Sequence, residues 1–210
     1  MEGERGEPFE PLDTGAEPVE PRQAATVIVL RGGAEGLEVL LVRRNPRQRF
    51  MGGAWVFPGG AVDAADGDDH LAHRAAGVRE VAEEAGVALP GTDALLPYSR
   101  WITPKQVAVR FDTHFFLARA PDGATPEVDG AECVDWGWYR PADALATHRR
   151  DELALAFPTL RTLEGLAGFA SADALLAWAP GRAVEPIEPK VVVEGEVARV
   201  LLPGDHGYAE

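Results

Sequence analysis

A single cysteine, Cys133, stands in a chain of 210 residues. That count excludes an internal disulfide, suits a reducing cytoplasm, and makes the residue a small buried hydrophobe rather than the nucleophile of a thiol enzyme. Positive charge is scarce as well: 20 Lys and Arg against 34 Asp and Glu give a formal net charge of −14 at pH 7. Non-specific affinity for nucleic acid comes from cationic contacts to phosphates, so a general nucleic-acid binder is excluded as a class. No apolar run approaches the roughly 20 residues of a bilayer-spanning helix, and no basic, apolar start suggests a secretory signal. The expectation is a cytoplasmic protein with neither nucleic-acid nor membrane partners. With 46% hydrophobic residues, the chain can still bury one sizeable core.

What is present concentrates between Trp55 and Val87: W-V-F-P-G-G, a short acidic loop, then H-L-A-H-R-A-A-G-V-R-E-V-A-E-E-A-G-V. Asp68 and Asp69 are good N-cap residues and Gly86 a good residue past a helix end, which predicts a helix from Asp69 to Ala85. At about 100° per residue, Leu71, Ala75, Val78, Ala82 and Ala85 fall on one side, and Glu80, Glu83 and Glu84 within about a 100° arc on the other. Like charges at i,i+3 and i,i+4 repel, so this face needs compensation. Arg79, one turn before Glu83, can hold one carboxylate, and a divalent cation such as Mg²⁺ or Mn²⁺ suits the remaining oxygen donors. Alone, an E-x-x-E-E run reads more simply as a solvated acidic face. The neighbouring Phe57-Pro58-Gly59-Gly60 turns the reading towards a site, because a glycine turn lets a ligand or metal approach the backbone closely.

The order of Gly60, acidic residues, and then Arg79, Glu80, Val81, Glu83, Glu84, Gly86 and Val87 resembles the box of the Nudix hydrolases, a glycine followed by a glutamate and R-E-U-x-E-E-x-G-U, with U aliphatic. Asp66 stands where the family has its early glutamate, and the spacer from Asp66 to Arg79 is longer than the family's. Ahead of the box, Leu40, Leu41, Arg44, Arg49, Gly53 and Phe57 to Gly60 resemble the segment of the coenzyme A diphosphatase branch, with Val42 and Asn45 departing from it. The phrases R-W-I-T-P and R-F-D-T-H-F-F-L, from Arg100 and Arg110, and the pair Asp63 and Asp66 are similar to those of peroxisomal members of that branch.

The resemblance implies an α/β fold, a Nudix-type α/β/α sandwich around a mixed β-sheet, with extra C-terminal helices and a β-hairpin. It implies Glu80, Glu83, Glu84 and the Gly60 carbonyl as ligands of Mg²⁺ or Mn²⁺, and hydrolysis of the phosphoanhydride of a small-molecule diphosphate. If the branch holds, coenzyme A or an acyl derivative gives 3′,5′-ADP and a phosphopantetheine. An ADP-ribose or other nucleoside diphosphate diphosphatase is the alternative, and a non-catalytic ligand sensor is the reading from a different class. Dimers are frequent among such relatives, so a homodimer is expected on the same ground.

The remaining chain divides into three. Residues 1–23 carry seven acidic and two basic residues among several prolines and read as a flexible or surface-bound tail. Residues 24–180 form the expected hydrolase domain, and 181–210 an extension. Strands are predicted over 24–30 and 37–42, joined by a Gly-rich turn as a hairpin, and over 96–104, 110–118 and 130–138. Helices are predicted over 141–148, 151–169 and 171–178, and a second hairpin over 190–193 and 197–202. The basic island from Arg43 to Arg49 is either a solvated loop or an anion site. Arg110 and Phe111 could meet a phosphate and an adenine ring, or serve as an edge-strand arginine and a core phenylalanine. Glu127, Asp129 and Glu132 are candidates for a late general base, of which Glu132 lies inside the strand-like stretch. Gly59 is expected beside the substrate. His73 and His114 fall outside the matched motif and read as ordinary helix and strand residues.

Overall fold

A computed structural model of the chain describes residues 18–32, 36–67, 71–194 and 197–208. Its centre is β1 (Arg22–Arg31), a run rich in β-branched residues that is buried on both faces along most of its length. Ala25, Val27 and Val29 pack to one side, while Ile28 and Leu30 pack to the other. β1 meets β2 (Glu38–Arg44) in antiparallel register only at Leu30↔Val39 and Arg31↔Glu38. Its first half instead pairs with β4 (Gly59–Ala61), through Ala24↔Ala61, Ala25↔Gly60 and Thr26↔Gly59. β2 therefore diverges from β1, carrying β3 (Trp55–Val56) and β7 (Cys133–Tyr139) with it. A cleft opens where the strands part.

The other edge of β1 pairs in parallel with β6 (Phe111–Arg119), which pairs antiparallel with β5 (Leu96–Ile102). The sheet runs β3-β2-β1-β6-β5-β8, where β8 (Pro186–Ile187) is a short parallel edge strand on β5 that the sequence reading did not foresee. On one face lies α1 (Ala72–Ala85). On the other lie α2 (Pro141–Arg149), α3 (Phe157–Leu166) and α4 (Ala172–Trp178), whose Leu145, Leu163, Leu166 and Leu175 join Ile28, Leu41 and Leu117 in one core. The architecture is the expected α/β/α sandwich around a mixed sheet. The expected C-terminal hairpin is present as β9 (Lys190–Glu194) and β10 (Val197–Leu201), antiparallel from Lys190↔Leu201 to Glu194↔Val197.

Two helices depart from the sequence reading. The anticipated caps Asp68 and Asp69 lie outside the described residues, and α1 begins at Ala72 with Leu71 at its N-cap. Its buried face is Ala72, Ala76, Gly77, Val81, Glu84 and Ala85, whereas Leu71 and Ala82 are exposed, so the helix is rotated from the expected orientation. Close approach to β1 sets that rotation: a Cβ on Gly77 would lie 2.8 Å from Val27 Cγ2. Gly86 ends the helix as expected, at φ 63°, with its N–H donating to Ala82 O. In the second departure, residues 151–156 are not helical. Trp55 N donates to Ala154 O at 2.7 Å and Ala156 N to Trp55 O at 3.3 Å, which holds this segment extended beside β3. Pro158, in the first turn of α3, suits a helix start at Phe157.

Of the tail, residues 1–17 lie outside the described residues, as do 33–35 of the first hairpin turn and 195–196 of the second. No helix among the described residues is long and apolar enough to cross a membrane.

Candidate active site

The diverging strands enclose a cavity of about 360 Å³. Gly59, Gly60 and Ala61 form one wall, and Arg22, Arg44, Glu80, Glu84 and Glu132 supply the charged lining. A second, mainly apolar wall comes from Trp101, Phe111, Phe115 and Phe157. Period-two alternation along β6 explains this wall: Phe111, Thr113 and Phe115 face the cavity, while Asp112, His114 and Phe116 face away.

α1 leans two of its carboxylates onto the glycine turn. Gly59 N donates to Glu84 Oε2 at 2.9 Å, and Arg44 Nη1 lies 3.7 Å from Glu84 Oε1. Glu84 is only 3% exposed, against the expectation of a solvent-facing residue. Burial pushes its carboxyl up to about 7, opposed by the Gly59 N–H and Arg44 and reinforced by the Glu80 and Glu132 charges. Glu80 sits so close to Gly60 that a Cβ there would fall 2.5 Å from Glu80 Cδ. Burial raises its carboxyl too, Arg79 opposes the rise, and Glu83 and Glu132 add to it.

Arg79 organises the mouth of the site. Its Nε and Nη2 donate to Asp66 Oδ1 and Oδ2 at 3.0 and 2.8 Å, Nη2 also to Ala61 O at 3.0 Å, and Nη1 to Glu80 Oε1 and Glu83 Oε2 at 2.7 and 3.0 Å. The bidentate Asp66 contact is the leading cause of the raised pKa of Arg79, and holds Asp66 below the usual carboxylate range. Asp66 thus anchors the arginine of the box from the lengthened loop. The sequence carried a signal for this, an Asp in the place of the family's early glutamate, but the loop length hid which side chain it would meet.

The structure brings Glu80, Glu84, Gly59, Gly60, Arg44, Phe111 and Glu132 to one cavity and places three other candidates apart. Glu83 has its side chain 60% exposed and turned to Arg79. Arg49 is exposed on the loop after β2 and does not line the cavity. Arg110 is buried and does not line it either, which corrects its reading as a phosphate ligand. Its Nε, Nη1 and Nη2 donate to Thr103 O, Val19 O and Glu188 Oε1 at 3.0, 2.7 and 2.8 Å. Among the late acids, Asp129 accepts from the N–H groups of Glu132 and Cys133, both at 2.8 Å, and Glu127 packs over Gly86. Of these three, only Glu132 faces the cavity. Cys133 is fully buried beside Glu84, and burial pushes its thiol up, away from thiolate chemistry. The rings of His73 and His114 pack at a tilt, 4.1 Å between centroids, with His73 Nε2 2.9 Å from Gln23 Oε1, away from the cavity.

No group of three or more His, Cys, Asp and Glu among the described residues forms a ready metal cage. The chemistry of the donor set nonetheless fits a hard divalent cation. Two carboxylates, both made harder to ionise by burial despite Arg79 and Arg44 beside them, face a glycine turn that brings no side chain of its own between them and the backbone.

A family model described as NUDIX domain matches residues 20–159. The human protein named acyl-coenzyme A diphosphatase NUDT19 is 28% identical, over 84% of this chain and 74% of its own length. The uncharacterized Nudix hydrolase NudL of Klebsiella pneumoniae is 32% identical, over 61% of this chain and 67% of its own. Among solved structures, a NUDIX hydrolase from Alicyclobacillus acidocaldarius superposes with TM-score 0.68 at 28% identity, over 75% of this chain and 96% of that one.

Proposed function

This chain belongs to the Nudix hydrolase family, and on that premise we propose that it hydrolyses the phosphoanhydride of coenzyme A or an acyl-coenzyme A, releasing 3′,5′-ADP and a phosphopantetheine. The observation that carries the reading is the placement of Glu80 and Glu84 against Gly59 and Gly60 on the wall of a cavity whose opposite wall is aromatic. A family diphosphatase needs the first feature for the diphosphate. A ligand with an adenine ring and a thioester arm suits the second.

Glu80 and Glu84, with the Gly60 carbonyl, would hold a divalent cation, Mg²⁺ or Mn²⁺, which would neutralise diphosphate charge and polarise phosphorus, and Glu83 would join them by turning in from Arg79. Arg79 fixes the rotamers of Glu80 and Glu83 through its Asp66 anchor, so these carboxylates are oriented before substrate arrives. Arg44, at the cavity wall beside Glu84, offers a guanidinium to a phosphate oxygen. Glu132 faces the same space from β2's partner loop and is the base we assign for the attacking water. Glu84, on the same wall, is the second carboxylate that could take that proton. The single, buried cysteine supports a reducing setting for this chemistry.

Support for the coenzyme A branch comes from the segment Leu40 to Gly60 and from the similarity to a relative named as an acyl-coenzyme A diphosphatase. A turnover panel with Mg²⁺ or Mn²⁺ over coenzyme A, an acyl-coenzyme A, ADP-ribose, NADH and nucleoside triphosphates tests it. The expected result is highest kcat/KM for the coenzyme A compounds, with both products identified by mass. Preference for ADP-ribose would overturn the substrate assignment.

A further inference from the structure

Arg110 looks, from sequence, like a ligand for substrate phosphate, yet all three of its guanidinium nitrogens are committed to the protein. They reach Val19 before β1, Thr103 in the loop between β5 and β6, and Glu188 in the C-terminal extension, and the residue is 7% exposed. A further bond, Arg22 N to Arg110 O at 2.9 Å, fixes its backbone to β1. The extension it grips continues directly into the cavity wall. Pro189 follows Glu188, and Pro189 and Val200 both line the cavity. Just before the grip, Ile187 pairs with Trp101, another lining residue. Further ties run from Gln106 Nε2 to Val191 O at 3.3 Å, from Tyr208 Oη to Glu188 O at 2.7 Å, and from Lys190 Nζ to Tyr208 O.

We infer that the C-terminal extension, residues 186–194 and 197–202, is a built wall of the active-site cavity that shapes its apolar half through Pro189 and Val200, and that Arg110 is the positioning residue that clasps this wall to the catalytic core. The inference rests on the functional reading above for what the cavity binds, but not for the clasp itself. A planar fork with several fixed donors can satisfy three acceptors from three chain segments at once, and a lysine ammonium at the same place cannot reproduce that geometry. Removing the Glu188 carboxylate leaves one arm of a buried guanidinium without its acceptor, so the wall should loosen where it meets the cavity and not in the helices beyond it.

The test uses the full chain. In Glu188→Ala, hydrogen–deuterium exchange should rise in peptides spanning 186–194 and 103–110 while those of α2 and α3 stay as in the wild type. For whichever diphosphate the wild type hydrolyses, KM should rise by about tenfold, with kcat changed less than about twofold, the signature of lost substrate contact rather than lost chemistry. Val200→Trp, which narrows the wall without touching the clasp, should shift KM and leave exchange at 103–110 unchanged. Arg110→Lys should behave like Glu188→Ala rather than rescue it. Unchanged exchange in Glu188→Ala would overturn the clasp, and KM values unmoved by both Glu188→Ala and Val200→Trp would overturn the wall. A wild type that hydrolyses no diphosphate would instead defeat the functional reading, with the exchange experiment still deciding the clasp.

Discussion

Two adjacent glycines should fail in opposite ways when each is given a methyl group. A Cβ on Gly60 would lie 2.5 Å from Glu80 Cδ and 2.8 Å from Glu80 Oε2, atoms at the far end of a flexible side chain. Gly60 has no positive φ, so its backbone tolerates alanine, and Glu80 can swing aside at the loss of its 2.7 Å bond from Arg79. The stability change should stay below about 1 kcal/mol, as for a partly exposed ion pair. Catalysis should nonetheless fall by about 100-fold or more, roughly 2.7 kcal/mol of barrier, because a displaced carboxylate no longer faces the turn. A Cβ on Gly59 meets rigid neighbours instead: the Ala25 carbonyl, Thr26 Oγ1 at 2.6 Å and Thr26 Cα at 2.7 Å. Relief there requires prising β4 from β1, an overpacking cost of about 1–3 kcal/mol. At about 2–4 °C per kcal/mol for a chain of this size, Gly59→Ala should lower Tm by up to roughly 10 °C and Gly60→Ala by no more than about 4 °C. Thermal melts and kcat on the purified variants decide it. A Gly60→Ala protein that melts as early as Gly59→Ala, or that melts normally and retains full activity, would refute the reasoning.

Buried Glu84 and half-buried His114 should tilt stability against pH in opposite directions in the metal-free protein. Glu84 is raised to about 7 by burial, so its contribution is present below the unfolded carboxylate value and is lost as pH rises towards 7. His114 is lowered to about 4, first by burial and then by His73 and Arg100, so the folded state loses stability as pH falls from about 6.5 towards 4. The Glu84 effect is on the order of 3 kcal/mol and that of the half-buried His114 is smaller after solvent screening, so the two partly offset one another in the wild type between about pH 4.5 and 6.5. Glu84→Gln should therefore become more stable as pH rises through this window, and His114→Phe less stable, both read by denaturant melts at fixed ionic strength. Equal pH slopes in the two variants would exclude this account. Asp66→Asn, which weakens the anchor of Arg79, should reduce kcat/KM by about 10–100-fold with a small change in Tm, and full activity would show that Arg79 needs no such anchor.

The parts of the fold legible in the sequence are those written as strong local signals. The period-two strands, the αL glycine Gly86 and the proline start of α2 each have a backbone reason to be where they are. The rotation of α1 was not legible because alanine occurs around most of the helix, so hydrophobic periodicity could not choose a face. What chose it was the need of Gly77 to pass under Val27, a contact between residues 50 positions apart that no local window contains. The same helix shows why the three glutamates separate. Rotation carries Glu84 inward to the Gly59 amide, leaves Glu80 at the rim, and turns Glu83 out to Arg79. Charge alone could not distinguish Arg44, at the cavity, from Arg110, inside a clasp, since that difference lies in acceptors supplied by the distant Val19 and Glu188. The start of α3 was misplaced for a related reason. Leu153 and Leu155 are buried by an extended pairing with Trp55, and the same apolar spacing serves either conformation.

Buried Glu84 and half-buried Glu80, set against the Gly59–Gly60 turn, would together hold a divalent cation. Electron paramagnetic resonance of Mn²⁺ titrated into the metal-free protein tests it most directly, since the free-ion signal disappears on binding. The signal should be lost stoichiometrically in the wild type and persist in the double variant Glu80→Gln, Glu84→Gln. Mn²⁺ binding of equal strength in both proteins would contradict it.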